Sequence, residues 1–113
     1  MAVAFGTSGL RGPAEDFTPA LCDAFVSAFL ERSAGMTRAR TVYLAGDLRD
    51  STPSIAESCL SAARSAGWQS VWAGNVPTPA LASYALERNA PAIMITGSHI
   101  PETYNGIKFY RPD

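Results

Sequence analysis

Three Thr-Pro pairs divide the chain into helical segments separated by short apolar runs. Thr18-Pro19, Thr52-Pro53 and Thr78-Pro79 each place a hydroxyl directly before a proline. This order is typical of a helix N-cap followed by the first helical residue, where the missing N–H of proline costs nothing. Apolar residues at helical spacing follow each pair. The pattern therefore predicts three helices, which should end near Gly35, Gly67 and Asn89.

Between the predicted helices lie short runs of β-branched, aromatic and other apolar residues that favour strands. These runs are Thr41–Ala45, Ser70–Ala73, Ala92–Thr96 and Ile107–Tyr110. The last run is entered through Asn105-Gly106, a pair typical of a tight turn. Because strands alternate with helices, the sequence predicts an α/β domain. We expect a three-layer α/β/α arrangement around a mixed, largely parallel sheet of about four strands.

Length and composition fit one globular domain with one core. The chain has 113 residues, of which 47% are hydrophobic and 17% charged. A net charge of -1 gives no broad basic field, so neither nucleic acid nor an anionic membrane is an expected partner. Apolar runs stay shorter than the roughly 18 residues of a membrane span, and the first residues lack a signal-peptide pattern. A cytoplasmic location is expected.

The two cysteines, Cys22 and Cys59, both fall within predicted helices. They form no C-x-x-C pair that would indicate zinc or redox chemistry, and two distant cysteines do not imply a disulfide framework. We expect both to be reduced, buried and inert, since a free cysteine packs as a small hydrophobic side chain.

Polar loops follow two of the predicted strands. Gly46–Ser51 follows the first strand, and Gly97–His99 follows the third. Ligands of open α/β sheets gather outside the carboxyl ends of the strands, so the two loops should meet there. The glycine-rich segment Gly6–Gly12 is a candidate to join them. The rim would then carry, around Ser98, the side chains of Arg11, Arg49, His99 and Lys108.

Ser98 lies next to His99, the only histidine, which raises the question of a nucleophilic serine. Adjacent side chains diverge, so His99 is badly placed as the base, and the loop lacks a G-x-S-x-G elbow. One histidine among scattered acids also fits no dense metal site. A phosphate-carrying serine fits better, because phosphoryl transfer needs positioning and positive charge. Glycines beside Thr7-Ser8 also let backbone N–H groups approach an anion.

Each of these features also has a plain structural interpretation. An ion pair with Asp50 would explain Arg49, and Lys108 could protect an edge strand. The N-terminal glycines could form a simple turn, and His99 could cap a strand. Only the joint position of these residues at one rim argues for a site.

Three segments resemble the active-site segments of the first domain of α-D-phosphohexomutases. This family includes phosphomannomutases, phosphoglucomutases and phosphoglucosamine mutases. The segments are FGTSGLRG at Phe5–Gly12, GDLRDS at Gly46–Ser51 and TGSHIPETYNGIKFY at Thr96–Tyr110. They occur in the family's order, and the resemblance spans essentially all 113 residues. It implies that the full-length enzyme interconverts hexose 1-phosphate and hexose 6-phosphate through a phosphoserine and a bisphosphorylated sugar.

The resemblance also implies residue roles and cofactors. The implied catalytic residues are Ser98, His99, Lys108 and Arg11. The implied phosphate- or substrate-binding residues are Thr7, Ser8 and Arg49. Ser98 would be the phosphoserine, whose phosphate oxygen supplies one Mg²⁺ ligand, and Lys108 would be a general acid/base. The second domain would supply most Mg²⁺ ligands, and a hexose 1,6-bisphosphate would act as activator.

The chain departs from the family in two loop residues and in length. The family's loop usually reads T-A-S-H-N-P, whereas Gly97 and Ile100 stand here in place of the alanine and the asparagine. Gly97 predicts a looser loop, and Ile100 removes an amide near the phosphate. Because the family has four domains, residues 1–113 are expected to be domain I alone, unable to complete the mutase cycle.

Two further expectations follow from the missing domains. The partners would be the hexose phosphate and the remaining domains of the same enzyme. The apolar surface left uncovered could make the isolated domain self-associate. The alternative is a non-catalytic domain of this fold that binds sugar phosphates or another protein.

Overall fold

One sheet of six strands runs through the part of the chain that the structure, a computed structural model, describes. That part comprises residues 3–6, 9–97 and 100–113. The strands are β1 (Ala4–Gly6), β2 (Gly9–Pro13), β3 (Thr41–Gly46), β4 (Gln69–Trp72), β5 (Ala92–Ile95) and β6 (Tyr104–Tyr110). Their order across the sheet is β1-β2-β6-β5-β3-β4.

The three predicted helices are all present. They are α1 (Pro19–Ser33), α2 (Thr52–Ser65) and α3 (Thr78–Glu87), accompanied by short 3-10 helices at Ala14–Asp16 and Ala34–Met36. Among the described residues, no helix has the length and apolar character needed to cross a membrane.

Only the first of the three predicted N-caps is confirmed. The Thr18 hydroxyl accepts a hydrogen bond from the Leu21 N–H at 3.2 Å, which caps α1 as expected. The N-cap residues of α2 and α3 are instead Ser51 and Pro77, and neither makes a side-chain cap bond. The Thr52 hydroxyl is therefore available for other contacts, which lie in the candidate site.

The helices cover both faces of the sheet. α1 and α2 pack on one face, over a core that includes Leu44 and Ile93. α3 packs on the other face, over a smaller core that includes Ala45 and Met94. Consecutive residues such as Leu44 and Ala45 face opposite ways because side chains alternate along a strand. The predicted α/β class and its α/β/α layers are confirmed.

The sheet has more strands and fewer parallel pairs than the sequence predicts. β3 pairs in parallel with β4 and β5. The pairs β1–β2, β2–β6 and β5–β6 are antiparallel. The predicted number of about four strands is corrected to six, because the glycine-rich segment contributes β1 and β2. The described residues between β5 and β6 form no helix, and an antiparallel pair needs no helical crossover.

Asn105 and Gly106 lie inside β6, so the turn predicted at this pair is wrong. A Cβ atom at Gly106 would lie 2.8 Å from the Leu10 carbonyl oxygen and 2.9 Å from that of Thr96. The lack of a side chain at Gly106 therefore allows the neighbouring backbones to approach closely, which is a common reason for glycine within a strand.

The cysteines pack against each other between α1 and α2. Cys22 and Cys59 are both free and fully buried, as predicted. A hydrogen bond with Cys22, together with burial, raises the pKa of the Cys59 thiol far above its ordinary value. A neutral thiol is a poor nucleophile, so this side chain acts as part of the core.

Replacing Thr18 with alanine should lower the free energy of unfolding by about 1 kcal/mol, because the substitution removes the cap of α1. Thr78→Ala is the matched control, since Thr78 also precedes a proline at a helix start but makes no cap bond. Its effect should stay within about 0.5 kcal/mol. Urea denaturation measures both variants, and equal losses would contradict the assignment of the cap.

Candidate functional site

Two loops meet beyond the carboxyl ends of β3 and β5, at the edge where the sequence places polar residues. Residues 47–51 follow β3, and residues 96–103 link β5 to β6. The Asp47 N–H donates to the Ile95 carbonyl oxygen at 3.0 Å. The Gly97 N–H donates to Asp47 Oδ2 at 2.8 Å. The two polar loops are therefore in direct contact, as expected of neighbouring parallel strands.

The Asp47 carboxylate is the anchor of both loops. Its Oδ1 accepts from the Thr52 hydroxyl at 2.5 Å and from the Arg49 N–H at 3.1 Å. Partial burial acts to raise the pKa of the Asp47 carboxyl. Hydrogen bonds from Thr52, from the two backbone N–H groups and from the Thr96 side chain outweigh it, so this pKa lies below its ordinary value. Asp47 is consequently charged at neutral pH.

The Arg49 guanidinium holds the backbone of the second loop. Its Nη1 donates to the carbonyl oxygens of Pro101 at 2.6 Å and Tyr104 at 3.2 Å. Its Nη2 donates to the carbonyl oxygen of Ile100 at 2.6 Å. The side chain is only 11% exposed, and its Nε lies 3.4 Å from Asp47 Oδ2. A planar group with five N–H donors suits such a cluster of acceptors.

The carboxylates that the structure places beside Arg49 are those of Asp47 and Glu102. The Glu102 carboxylate lies 3.6 Å from Nη1 and is 71% exposed, so this pair adds little stability. The position of Arg49 is thus explained by a loop about fifty residues away, and no ion pair with its neighbour Asp50 is needed to explain it.

Gly97 provides the space in which this guanidinium lies. A Cβ atom at Gly97 would lie 1.9 Å from Arg49 Nε and 2.0 Å from Arg49 Cζ. Both distances are far shorter than van der Waals contact, so a side chain at position 97 and the observed Arg49 position exclude each other. The sequence predicts only a looser loop from this glycine and does not reveal the contact.

Asn105 is a fully buried polar residue beneath the two loops. Its Nδ2 donates to Ser51 Oγ at 2.8 Å and to Thr52 Oγ1 at 3.1 Å. Its Oδ1 accepts from the Gly106 N–H at 2.8 Å. A buried amide needs such partners. Through Thr52, this amide extends the hydrogen-bond network from β6 to the Asp47 carboxylate.

Arg11 and Lys108 lie on neighbouring strands and on the same face of the sheet. Arg11 in β2 pairs with Gly106, and Lys108 pairs with Met94 of β5. Residues two apart on a strand share a face, so both basic side chains lie on the face that also carries α3. Arg11 is exposed and Lys108 half-buried. β6 is an interior strand, so the alternative of Lys108 as an edge-protecting charge is wrong.

The structure locates three of the seven predicted site residues, namely Arg11, Arg49 and Lys108. The other four, Thr7, Ser8, Ser98 and His99, lie outside the described residues. Arg11 pairs with Gly106, and the Gly106 carbonyl oxygen accepts from the Thr96 N–H at 2.9 Å. The backbone of Arg11 therefore lies close to the start of the second loop. Both arginines are thus brought to the segment that contains Ser98.

Asp47, Thr52 and Asn105 are the residues that sequence reasoning missed. Thr52 resembled a helix cap and Asn105 a turn residue, so the pattern assigned each a local role. Asp47 could have been predicted as a site residue, because it is the first acidic residue after a buried strand and precedes Arg49 by two positions. Nothing in the pattern indicated that all three join one network.

Two grooves differ in their position relative to this site. One, of about 420 Å³, opens beside Asp47 and is lined in part by Trp72 and Asn75. The other, of about 350 Å³, is apolar and lies between β3 and α3, lined in part by Tyr43 and Tyr84. Only the first borders the loop network, so it is the concave surface that belongs with the candidate site.

The sequence also matches a known family over nearly its full length. The family model described as phosphoglucomutase/phosphomannomutase, alpha/beta/alpha domain I, matches residues 2–113. The chain belongs to this family. The resemblance carried by the three segments is thereby confirmed, and the family's full-length members are mutases.

Individual relatives agree with this assignment. A phosphomannomutase of Salmonella muenchen is 48% identical over 109 residues, which are 96% of this chain and 23% of that protein. A phosphoglucosamine mutase of Thermosipho africanus is 38% identical over 106 residues, or 92% and 23% of the two chains. The crystal structure of a phosphoglucomutase/phosphomannomutase family protein from Burkholderia thailandensis superposes with a TM-score of 0.82 at 27% identity, covering 96% of this chain and 26% of that one. The chain thus spans about a quarter of the length of these relatives.

Replacing Asp47 with asparagine should destabilise the chain at neutral pH by about 1–3 kcal/mol, because an amide cannot accept all the hydrogen bonds of the carboxylate. The pKa of Asp47 is lowered by folding, so its contribution is present above the unfolded carboxyl pKa of about 3.9. It is lost as the pH falls below that value through the folded pKa.

Urea denaturation at pH 7 and at about pH 3 measures this dependence. The cost of Asp47→Asn should be larger at pH 7 than at the lower pH, because part of the carboxylate's contribution is lost below the unfolded pKa. Asp23→Asn, at an exposed position of α1, is the control and should cost little at either pH. An Asp47→Asn cost that is equal at both pH values would contradict the charged anchor.

Proposed function

We propose that this chain is the phosphate-carrying first domain of a phosphohexomutase and that Ser98 carries the phosphate. The observation that supports it most is the match of residues 2–113 to domain I of the family. The segment that contains Ser98 leaves β5 at the carboxyl edge of the sheet, which is where ligands of such sheets bind.

The proposed reaction has two phosphoryl transfers. First, the phosphoryl group on Ser98 Oγ passes to a free hydroxyl oxygen of a hexose monophosphate; the Oγ–P bond breaks, and the hydroxyl proton leaves to a base. The bisphosphorylated sugar then reorients, and Ser98 Oγ bonds to the phosphorus of the other phosphoryl group; the bond from that phosphorus to the sugar oxygen breaks, and the sugar oxygen takes up a proton. The net result moves phosphate between C1 and C6 of the sugar.

Arg11 and Lys108 are the described residues whose positions suit this chemistry. They lie on the same sheet face next to the loop, where cations stabilise the charge that develops on a transferring phosphoryl group. Lys108 would act as the general acid/base, and His99 would assist beside Ser98. Thr7 and Ser8 would line the entrance to this site.

Mg²⁺ is part of the proposal as the expected cofactor. Among the described residues, no group of three or more His, Cys, Asp or Glu side chains could hold a metal ion. A phosphate oxygen on Ser98 is the hard ligand that Mg²⁺ prefers, and the other ligands would come from the rest of the enzyme. When bound, the ion would neutralise charge on the phosphoryl group.

The remaining domains and the hexose phosphate are the proposed partners, and the cytoplasm is the proposed location. The residues that choose the sugar would lie in those domains, so the isolated chain should not complete the cycle. Large hydrophobic side chains are exposed, including those of Leu48 (85%), Leu86 (54%), Tyr84 (45%) and Trp72 (41%). Such surface supports the expectation that the isolated domain self-associates.

Intact-mass measurement tests the central claim. The full-length protein, incubated with glucose 1,6-bisphosphate, should gain one phosphoryl group, and the Ser98→Ala variant should gain none and lose mutase activity. Ser54→Ala, at an exposed position of α2, is the control and should behave as the unchanged protein.

Two results would contradict the proposal. The first is full mutase activity in Ser98→Ala. The second is a full-length protein that binds hexose phosphate yet never carries phosphate on Ser98, which would favour the alternative of a non-catalytic sugar-phosphate-binding domain. Separately, isomerisation by residues 1–113 alone would contradict their inactivity as an isolated domain.

A further inference from the structure

Arg49 contacts the loop that contains Ser98 at several backbone positions. We propose that Arg49 is a positioning residue that fixes the conformation of this loop, and that Gly97 is the position that allows it to do so. The contacts between Arg49 and the loop that carry the proposal are all made by described residues. The consequence for catalysis rests on the proposed function of Ser98.

The described residues of the loop make two backbone hydrogen bonds between residues three apart. The Ile100 N–H donates to the Gly97 carbonyl oxygen at 3.0 Å, and the Tyr104 N–H donates to the Pro101 carbonyl oxygen at 2.9 Å. Both are the i to i+3 bonds of β-turns. Gly97 and Ile100, which the first bond joins, flank Ser98 and His99 in sequence, so under the proposal a residue that fixes these two positions also positions Ser98.

Arg49 joins these two turns to each other. The three carbonyl oxygens that it binds belong to the last residue of the first turn, Ile100, and to the first and last residues of the second, Pro101 and Tyr104. On the other side, its Nε faces the Asp47 carboxylate, which also accepts from the Gly97 N–H. The loop is therefore held at its entry by Asp47 and at its exit by Arg49.

This arrangement requires an arginine. Three carbonyl oxygens and the Asp47 carboxylate surround the group, with the exposed Glu102 carboxylate at its edge, and only a planar fork of N–H donors meets several of them at once. A lysine ammonium at the same place has three donors around one atom and cannot span both turns. A role that depended on charge alone would accept either residue.

Gly97 is coupled to Arg49 by steric exclusion. A Cβ atom at Gly97 would meet the Nε, Cζ and Nη2 atoms of Arg49 at 1.9, 2.0 and 2.5 Å. These atoms lie at the far end of a flexible side chain, so alanine at position 97 would move the guanidinium rather than the backbone. Gly97→Ala should therefore act through Arg49, by separating it from the carbonyl oxygens.

A double-mutant cycle on the 113-residue chain tests this coupling by thermal unfolding. Arg49→Ala should lower Tm by about 4–8 °C, because it leaves loop carbonyls without their charged donor. Gly97→Ala should lower Tm by a similar amount in the unchanged chain. In the Arg49→Ala background, Gly97→Ala should leave Tm unchanged or raise it slightly, since alanine restricts the unfolded chain.

Gly35→Ala is the matched control, because nothing lies within 4 Å of a Cβ atom at that position. Its effect should be the same in both backgrounds. Equal losses from Gly97→Ala in the two backgrounds would overturn the coupling. If Arg49→Ala does not fold, Arg49→Ser, whose side chain is also too short to reach Gly97, replaces it in the cycle, and the same reversal of the Gly97→Ala effect is expected.

Kinetics of the full-length protein separate positioning from phosphate binding. Arg49→Ala should lower kcat about 10- to 100-fold, the loss typical of a displaced catalytic group, while KM stays within about twofold. Arg49→Lys should not restore kcat. A KM that rises with kcat preserved, or rescue by lysine, would overturn the positioning role and indicate a charge that contacts phosphate.

Failure of Ser98 to take up phosphate would refute the proposed function, whereas the Tm cycle would still decide the Arg49–Gly97 contact.

Discussion

The interaction on which the candidate site depends is the pairing of a largely buried guanidinium with three carbonyl oxygens and one carboxylate. Arg49 is 11% exposed, so its charge must be compensated within the protein, because an uncompensated buried charge is costly. The Asp47 carboxylate supplies that compensation and receives hydrogen bonds from both loops in return. Removing either partner leaves the other charged and poorly solvated. This mutual dependence links two segments about fifty residues apart into one unit.

The parts of the fold that follow from local chemistry could be predicted from the sequence. Thr18-Pro19 marks the start of α1 because the cap and the proline act within one helical turn. The runs at Thr41–Ala45 and Ala92–Thr96 form β3 and β5 because a strand covered on both faces needs nearly continuous apolar residues. The hairpin of β1 and β2 could not be predicted in this way, since its antiparallel pairing with β6 depends on contacts about a hundred residues apart.

The candidate site was predictable in its position but not in its contacts. Strand order and loop polarity bring Arg11 and Arg49 to one edge, as the sequence indicated. Asn105 and Gly97 show why the rest was hidden. Each has an adequate local interpretation, as a turn residue or as a flexible one, whereas its actual use depends on atoms supplied by another loop. Residue type and spacing carry no information about which distant group fills a space.

The charges at this edge divide into two sets with different consequences. Arg49 Nε lies 3.4 Å from Asp47 Oδ2, so their opposite charges partly offset each other. Arg11 and Lys108 lie on the sheet face shared with α3. In the proposed function, the attraction of this domain for phosphate therefore comes mainly from those two residues, and the Arg49–Asp47 pair contributes shape. Under that proposal, loop geometry and anion affinity would be set by separate residues, and a substitution in one set would change the rate without changing the binding of substrate.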